Sequence, residues 1–282
     1  MNKLILINGQ GKEYNLLNSD LSPGFQLDGL GYEDDTEFLR IGNDYYPLEE
    51  STDQNVLETT ILFMDSSDKR YYEFVKHARH DPLTLLYGNN NGEFYIPCRL
   101  RSISKIDQLG IRRYPAPVRL TQMGNMYRRV TAYNPGQVTG GKYYGDNGEG
   151  YTYDYTYSPE VLNTVSISSD SYVESPCILA IYGPVTNPIW KHYLNGDLVE
   201  TGAYAGTVPA GNYLEINPKT MPYSIMEYAD GGTLVADRYQ LCDFSTDRFV
   251  HIGEGENSYV VSHDGMSAVS LRAEGYIEYE TV

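Results

Sequence analysis

The stretch Asp65-Ser66-Ser67-Asp68-Lys69-Arg70-Tyr71-Tyr72-Glu73-Phe74-Val75-Lys76-His77-Ala78-Arg79-His80-Asp81-Pro82 decides the fold, because it is the clear long helical signal in a chain otherwise patterned for strands. Tyr71, Phe74, Val75 and Ala78 recur at i, i+3, i+4 and i+7 and share one face. Lys69, Arg70, Glu73, Lys76 and Arg79 take the other, with His77 and His80 expected on this polar side. Asp65, Ser66 and Ser67 offer oxygens to the free N–H groups of a first turn. Pro82 disfavours helical geometry at Asp81 and stops the element. The spacing predicts a helix over about 67–80, too short to be stable alone in water, so its aromatic face has to pack on a sheet.

Strand patterns surround it. Lys3–Ile7 and Glu13–Leu17 flank Asn8-Gly9-Gln10-Gly11, and Phe38–Ile41 and Tyr45–Leu48 flank a second turn. Val56–Met64 feeds the helix. After Pro82, Leu83–Tyr87 and Glu93–Arg101 flank Gly88-Asn89-Asn90-Asn91-Gly92, then Arg101–Ile106 and Arg113–Leu120 read as strands. Gly136–Gly150 is too poor in apolar residues to build a core and predicts a linker or mobile loop near a domain boundary. Tyr151, Tyr153, Tyr155 and Tyr157 follow with period two, as on one face of a strand. Short strands then succeed one another from Val161 to Tyr279 with turns such as Asn195-Gly196. The reading is a mainly β chain with two domains, 1–130 carrying the helix and 131–282 as an antiparallel sandwich or barrel.

Composition supports this and excludes several classes. The chain has 282 residues, 41% of them hydrophobic, enough for real cores. Tyrosine (28) and glycine (27) are abundant and tryptophan occurs once, which suits half-buried strand surfaces and turns. Net charge is 21 − 38 = −17. Residues 1–129 hold 15 basic and 18 acidic side chains (15 − 18 = −3), and 130–282 hold 6 and 20 (6 − 20 = −14). That sign argues against nucleic acid or an anionic membrane surface as a partner of the second half. No apolar run reaches the roughly 18–20 residues of a membrane span, and Leu4-Ile5-Leu6-Ile7 is shorter than a signal-peptide core. The expectation is synthesis in a cytoplasm without a signal peptide. Cys98, Cys177 and Cys242 are widely spaced, neither a disulfide framework nor a zinc site, and read as buried thiols.

Chemistry is sparse. His77, His80 and Asp81 lack the Glu and third ligand of a zincin motif, so neither metal nor cofactor is expected. Asp146-Asn147-Gly148-Glu149 lacks the spacing of a calcium loop. There is no Gly-x-Ser-x-Gly elbow, no phosphate-binding loop and no dinucleotide fingerprint, so nothing supports an enzyme. A glycosidase dyad needs a carboxylate separation that sequence does not fix. Two surfaces remain as candidates. Trp190, Tyr193 and the Tyr151, Tyr153, Tyr155, Tyr157 row offer rings to a sugar or a protein partner, against core packing or subunit contact. Arg99, Arg101, Lys105, Arg112, Arg113 and Arg119, against Asp107 alone, form either a solvated strand face or a basic face that docks on an acidic neighbour between subunits.

The order of parts resembles the distal tail proteins of siphophages and Gram-positive prophages. The N-terminal likeness runs through Thr59–Met64, Arg70–Val75, Asp81–Tyr87, Glu93–Ser104 and Pro117–Leu120. The C-terminal likeness runs through Ile181–Pro188, Asn195-Gly196, Val208–Ile216 and a long last strand. The resemblance implies an N-terminal β-sandwich or split-barrel-like domain with one helix, and a C-terminal galectin-like antiparallel β-sandwich. It implies a ring, usually a hexamer, at the virion tail tip. One side would stack on the tail tube protein, and the other would hold the tail-associated fibre or lysin and receptor-binding proteins. The rival reading is a carbohydrate-binding adhesin acting through the C-terminal sandwich; a glycoside hydrolase is a distant third.

Overall fold

The computed structural model describes residues 3–17, 27–31, 37–41, 43–49, 55–63, 69–105, 114–139, 160–265 and 268–280. The chain divides into two compact units, Met1–Arg128 with Glu278–Val282, and Arg129–Ile277.

The first unit contains β1 (Lys3–Ile7), β2 (Glu13–Asn15), β3 (Glu37–Ile41), β4 (Asp44–Glu49), β5 (Val56–Phe63), α1 (Lys69–His77), β6 (Leu83–Asn89), β7 (Gly92–Ile103), β8 (Tyr114–Gln122) and the start of β9 (Met126–Asn134). Six strands pair antiparallel in the order β2-β1-β6-β7-β8-β5, while β3 and β4 form a separate hairpin. Period-two patterning sets the buried face. Along β5, Leu57, Thr59, Ile61 and Phe63 are buried while Glu58 and Thr60 are exposed.

The helix packs as its periodicity demands. Phe74 is fully buried, its ring centre 5.3 Å from Tyr14 and 6.2 Å from Phe63. Ala78 is buried, and Tyr71 packs its edge 5.6 Å from Phe63. Burying an aromatic ring of this size stabilises by about 2–3 kcal/mol. The chain leaving α1 is held close: Gly9 N–H donates to the His80 carbonyl at 2.8 Å, and a Cβ on Gly9 would meet Asp81 O at 2.3 Å. Glycine is required there by space. The expected capping residues 65–67 lie outside the described residues. His77 departs from expectation. It is half-buried, its Nε2 donates to the Leu6 carbonyl at 2.9 Å, and its ring lies 5.5 Å from Tyr14. Three positions after Phe74, it borders the buried stripe and satisfies a strand carbonyl.

The second unit contains the rest of β9, then β10 (Gln137–Thr139), β11 (Glu160–Leu162), β12 (Thr164–Ser169), β13 (Ser175–Tyr182), β14 (Val185–Thr186), β15 (Ile189–Leu194), β16 (Asp197–Ala203), β17 (Thr207–Val208), β18 (Asn212–Asn217), β19 (Ser224–Ala229), β20 (Leu234–Asp237), β21 (His251–Ile252), β22 (Gly255–Ser262) and β23 (Leu271–Tyr279). One sheet runs β23-β13-β18-β19-β20, and the other β12-β22-β15-β16. Leu179, Ile181, Leu214, Ile216, Leu271 and Ala273 of the first and Ile167, Trp190, Tyr259 and Val261 of the second are buried. The sheets approach closely: a Cβ on Gly275 of β23 would lie 3.4 Å from Ile167 Cδ1 of β12. The unit is an antiparallel sandwich.

Two local expectations change. Met126–Asn134 is a strand that the adjacent Arg128 and Arg129 disguised, since an Arg stem lies along a sheet with its head in water. The expected loop 136–150 begins as strand β10, which pairs with β11. Residues 140–159, with Tyr151, Tyr153, Tyr155 and Tyr157, lie outside the described residues.

Candidate functional site

On the first unit, β7 carries Arg99 and Arg101 and β8 carries Arg119, and acids distant in sequence meet this run. Arg99 Nε lies 3.4 Å from Asp81 Oδ2, and Arg119 Nε lies 2.8 Å from Glu58 Oε1. Both pairs are exposed, so each contributes at most about 1 kcal/mol. Arg101 is exposed, lining a cleft of ≈ 350 Å³ with Arg79, Leu100 and Ile103. A second cleft, ≈ 610 Å³, is lined by Asp28, Glu58, Ser102, Pro117 and Arg119. Lys105 is half-buried. Arg112 and Arg113 lie outside the described residues. The described part of this face is therefore a band of mixed charge.

On the second unit, Trp190 is fully buried and its Nε1 donates to the Arg248 carbonyl at 2.8 Å. Gly202 lies against it: a Cβ there would sit 2.3 Å from Trp190 Cε2. The indole has no face left for a sugar ring; of the roles the sequence left open, Trp190 takes core packing. Tyr193 is half-buried beside an irregularity in the β15–β16 register. A tyrosine row that sequence reading missed crosses the first sheet. Tyr182 pairs with Tyr213 and Tyr213 with Tyr228, with ring centres 5.3 and 5.4 Å apart. Cross-strand register creates this row from residues 15 to 31 positions apart.

The strongest polar constellation lies inside the sandwich. Glu200 of β16 accepts from His192 Nδ1 at 2.9 Å, from His251 Nδ1 at 2.7 Å and from the His251 backbone N–H at 2.8 Å. His192 and Glu200 belong to the second sheet, whereas His251 lies on β21, which pairs with β13 of the first. The carboxylate thus staples the two sheets together. Asn257 spends its amide N–H groups on the Gly253 and Gly255 carbonyls and turns Oδ1 to His192 Nε2 at 3.0 Å. Both ring nitrogens of His192 face oxygen acceptors. Burial pushes the Glu200 carboxyl up, but the hydrogen bonds from His192 and His251 outweigh it and hold it at about 2. The hydrogen bond to Glu200 raises His251 against the opposing effect of burial. Tyr259 stacks on His192 and donates to the His251 carbonyl at 2.7 Å. Among the described residues no group of His, Cys, Asp and Glu is arranged to hold a metal ion, and no helix is long and apolar enough to cross a membrane.

Comparison with known proteins adds the decisive observation. Residues 3–111 match the family model of the distal tail protein, N-terminal domain. The first unit is thus similar to the N-terminal domain of distal tail proteins. Over its whole length the chain has a Dit-like fold. It is similar to a chain of the phage P2 baseplate in its activated conformation with calcium, at 15% identity, covering 100% of both chains with a TM-score of 0.64. The same baseplate with strontium gives 15% identity, full coverage and 0.62. The SPP1 Dit protein, described as a paradigm of hub adsorption apparatus in phages infecting Gram-positive bacteria, gives 8% identity and 0.63, covering 98% of this chain and 99% of that one. At these identities the likeness establishes the fold. No curated protein sequence matches the chain.

Proposed function

We propose that this protein is a structural hub of a bacteriophage tail tip. It would form a homo-oligomeric ring, of the hexameric kind, joining the tail tube to the fibre or lysin and to receptor-binding components. The observation that carries the reading is the distal tail family match over residues 3–111. Physical features of the first unit support a ring built from it. Strand β5 is eight residues long and, among the described residues, pairs with β8 on one side only, apart from a single bridge from Asp28 to Glu58. An edge of that length is a template for further pairing, which closure with a neighbour would cap. The β3–β4 hairpin exposes Leu39, Ile41 and Tyr46, apolar surface that a neighbouring copy would cover. In this reading the protein is made in the host cytoplasm and ends in the virion, with no catalytic role. The carbohydrate-adhesin reading loses its tryptophan to the core.

The test combines immunogold labelling of virions with mass measurement and electron microscopy of the purified protein and of detached tail tips. Label at the distal end of the tail, with rings in the tail-tip fraction, is expected. A protein absent from virions, or bound along the tail shaft, would sink the proposal.

A further inference from the structure

One edge of the second unit carries an aromatic surface that runs outward from the buried Phe249. Strand β20 ends its sheet and pairs only with β19 among the described residues. Its Leu234 and Val235 are 57% and 48% exposed. Neighbouring residues in a strand point to opposite faces, so neither face of this edge is covered. The chain then passes through a short 3-10 turn, Tyr239–Leu241, and on to Phe249. The rings of Tyr223, Phe249, Tyr239 and Phe244 form a chain with centres 5.0, 6.2 and 5.4 Å apart. Phe244 remains 53% exposed and Leu241 46%.

Arg248 completes the surface. Its guanidinium lies 4.6 Å from the Phe244 ring centre and 5.5 Å from that of Tyr239. Its φ of 68° is in the left-handed region, which costs a residue with a side chain on the order of 1 kcal/mol or more. Two bonds from the second sheet hold it there, Arg248 N–H to Thr201 O at 3.1 Å and Trp190 Nε1–H to Arg248 O at 2.8 Å. Its Nε–H is buried with no hydrogen-bond partner. Aromatic side chains and arginine, fixed in place before contact, are the composition of binding hot spots. The rim has one sign: Asp230, Asp237, Asp243 and Asp247 are all exposed. Arg238 does not offset them, because its Nε and guanidinium hold the buried Glu227 carboxylate at 2.8 and 2.6 Å.

We propose that this edge is a docking surface for another tail-tip protein, through a segment apolar at its centre and flanked by lysine or arginine. The inference rests on the hub reading and names the chemistry of one outward partner. A second copy of this chain is the poorer occupant, because a self-complementary contact would set the same four aspartates against one another.

The experiment places the photo-crosslinking residue p-benzoylphenylalanine at Phe244 and, separately, at Leu234, in the full chain assembled into phage tails. Crosslinked peptides are then identified by mass spectrometry. The expected result is a crosslink to one other tail-tip protein, in an apolar segment flanked by basic residues. Asp230→Lys, at a side chain for which the structure shows no bond to the patch, should lower its yield on the order of three-fold or more, with melting of the purified protein nearly unchanged. Crosslinks confined to this chain, no crosslink, or indifference to the charge reversal would overturn the proposal. Tails that incorporate the protein but give no such crosslink refute only the docking surface. Tails that never incorporate it refute the hub reading and this inference together.

Discussion

Replacing Glu200 by glutamine tests whether the inter-sheet staple carries stability. The carboxylate receives three donors, His192 Nδ1, His251 Nδ1 and the His251 backbone N–H, at 2.9, 2.7 and 2.8 Å. A glutamine keeps one oxygen and turns an NH₂ group toward donors on the other side. One or two charge-assisted bonds are lost, each worth about 1.5–3 kcal/mol. The proton linkage gives the same order. Glu200 falls from an ordinary value of 4.5 to about 2, which corresponds to roughly 3 kcal/mol. The pH dependence follows from the signs. A depressed carboxylate contributes fully above 4.5 and loses that contribution as pH falls toward about 2. A raised histidine contributes fully below its ordinary 6.5 and loses that contribution as pH rises through its higher folded value. The wild type should therefore exceed Glu200→Gln by about 2–4 kcal/mol between about pH 4.5 and 6.5, with the gap narrowing on both sides. Denaturant unfolding followed by tryptophan fluorescence reads the second unit selectively, because the only tryptophan is the buried Trp190. A gap below about 0.5 kcal/mol, or one flat from pH 4 to 9, would refute the reasoning.

The other predictions concern packing and thiol chemistry. Phe74→Ala should destabilise the first unit by about 3–5 kcal/mol in denaturant unfolding, and a near-zero change would mean the helix face is wrongly assigned. Trp190→Ala should cost the second unit about 3–5 kcal/mol by calorimetry while leaving the response to a glycan array as it was. Gly202→Ala should destabilise by about 1–3 kcal/mol, because its Cβ would overlap the indole; a melting point equal to wild type would contradict that overlap. Burial pushes Cys98 and Cys177 up to about 12 and Cys242 to about 11. Maleimide at pH 8 should therefore label none of the three in native protein and all three after unfolding.

The helix and the hairpins were legible because each is specified locally. Tyr71, Phe74 and Ala78 announce a buried stripe, and Lys3–Ile7, Leu83–Tyr87 and Glu93–Arg101 read as strands beside their turns. Features made by long-range register were not legible. The Glu200 staple joins residues 8 and 51 positions apart in sequence. The basic run looked unopposed because Asp81 and Glu58, its ion-pair partners, lie outside it. Trp190 shows what one polar residue leaves open. In Ile189-Trp190-Lys191-His192-Tyr193, period two puts Trp190 and His192 on one face. A histidine in that row argues for an open surface. His192 is nevertheless buried, because Glu200 and Asn257 satisfy it, and the tryptophan is buried with it.

The staple and the proposed docking edge meet in one short segment. Arg248, Phe249, Val250 and His251 run in sequence from the aromatic surface into the core. At one end, Trp190 and Thr201 fix the Arg248 backbone. At the other, Glu200 takes both the backbone and the ring N–H of His251. The strained Arg248 conformation is thus held by the same β15 and β16 strands that supply His192 and Glu200. Such a site is rigid before any partner arrives, and the cost of ordering it is already met in folding. Glu200→Gln would loosen this segment as well as the core, so weaker docking in that variant would not by itself implicate the edge. Asp237, Asp243 and Asp247 also brace the backbone, accepting from the N–H groups of Tyr239, Ser245 and Thr201. Reversing the exposed Asp230 therefore separates recognition from support.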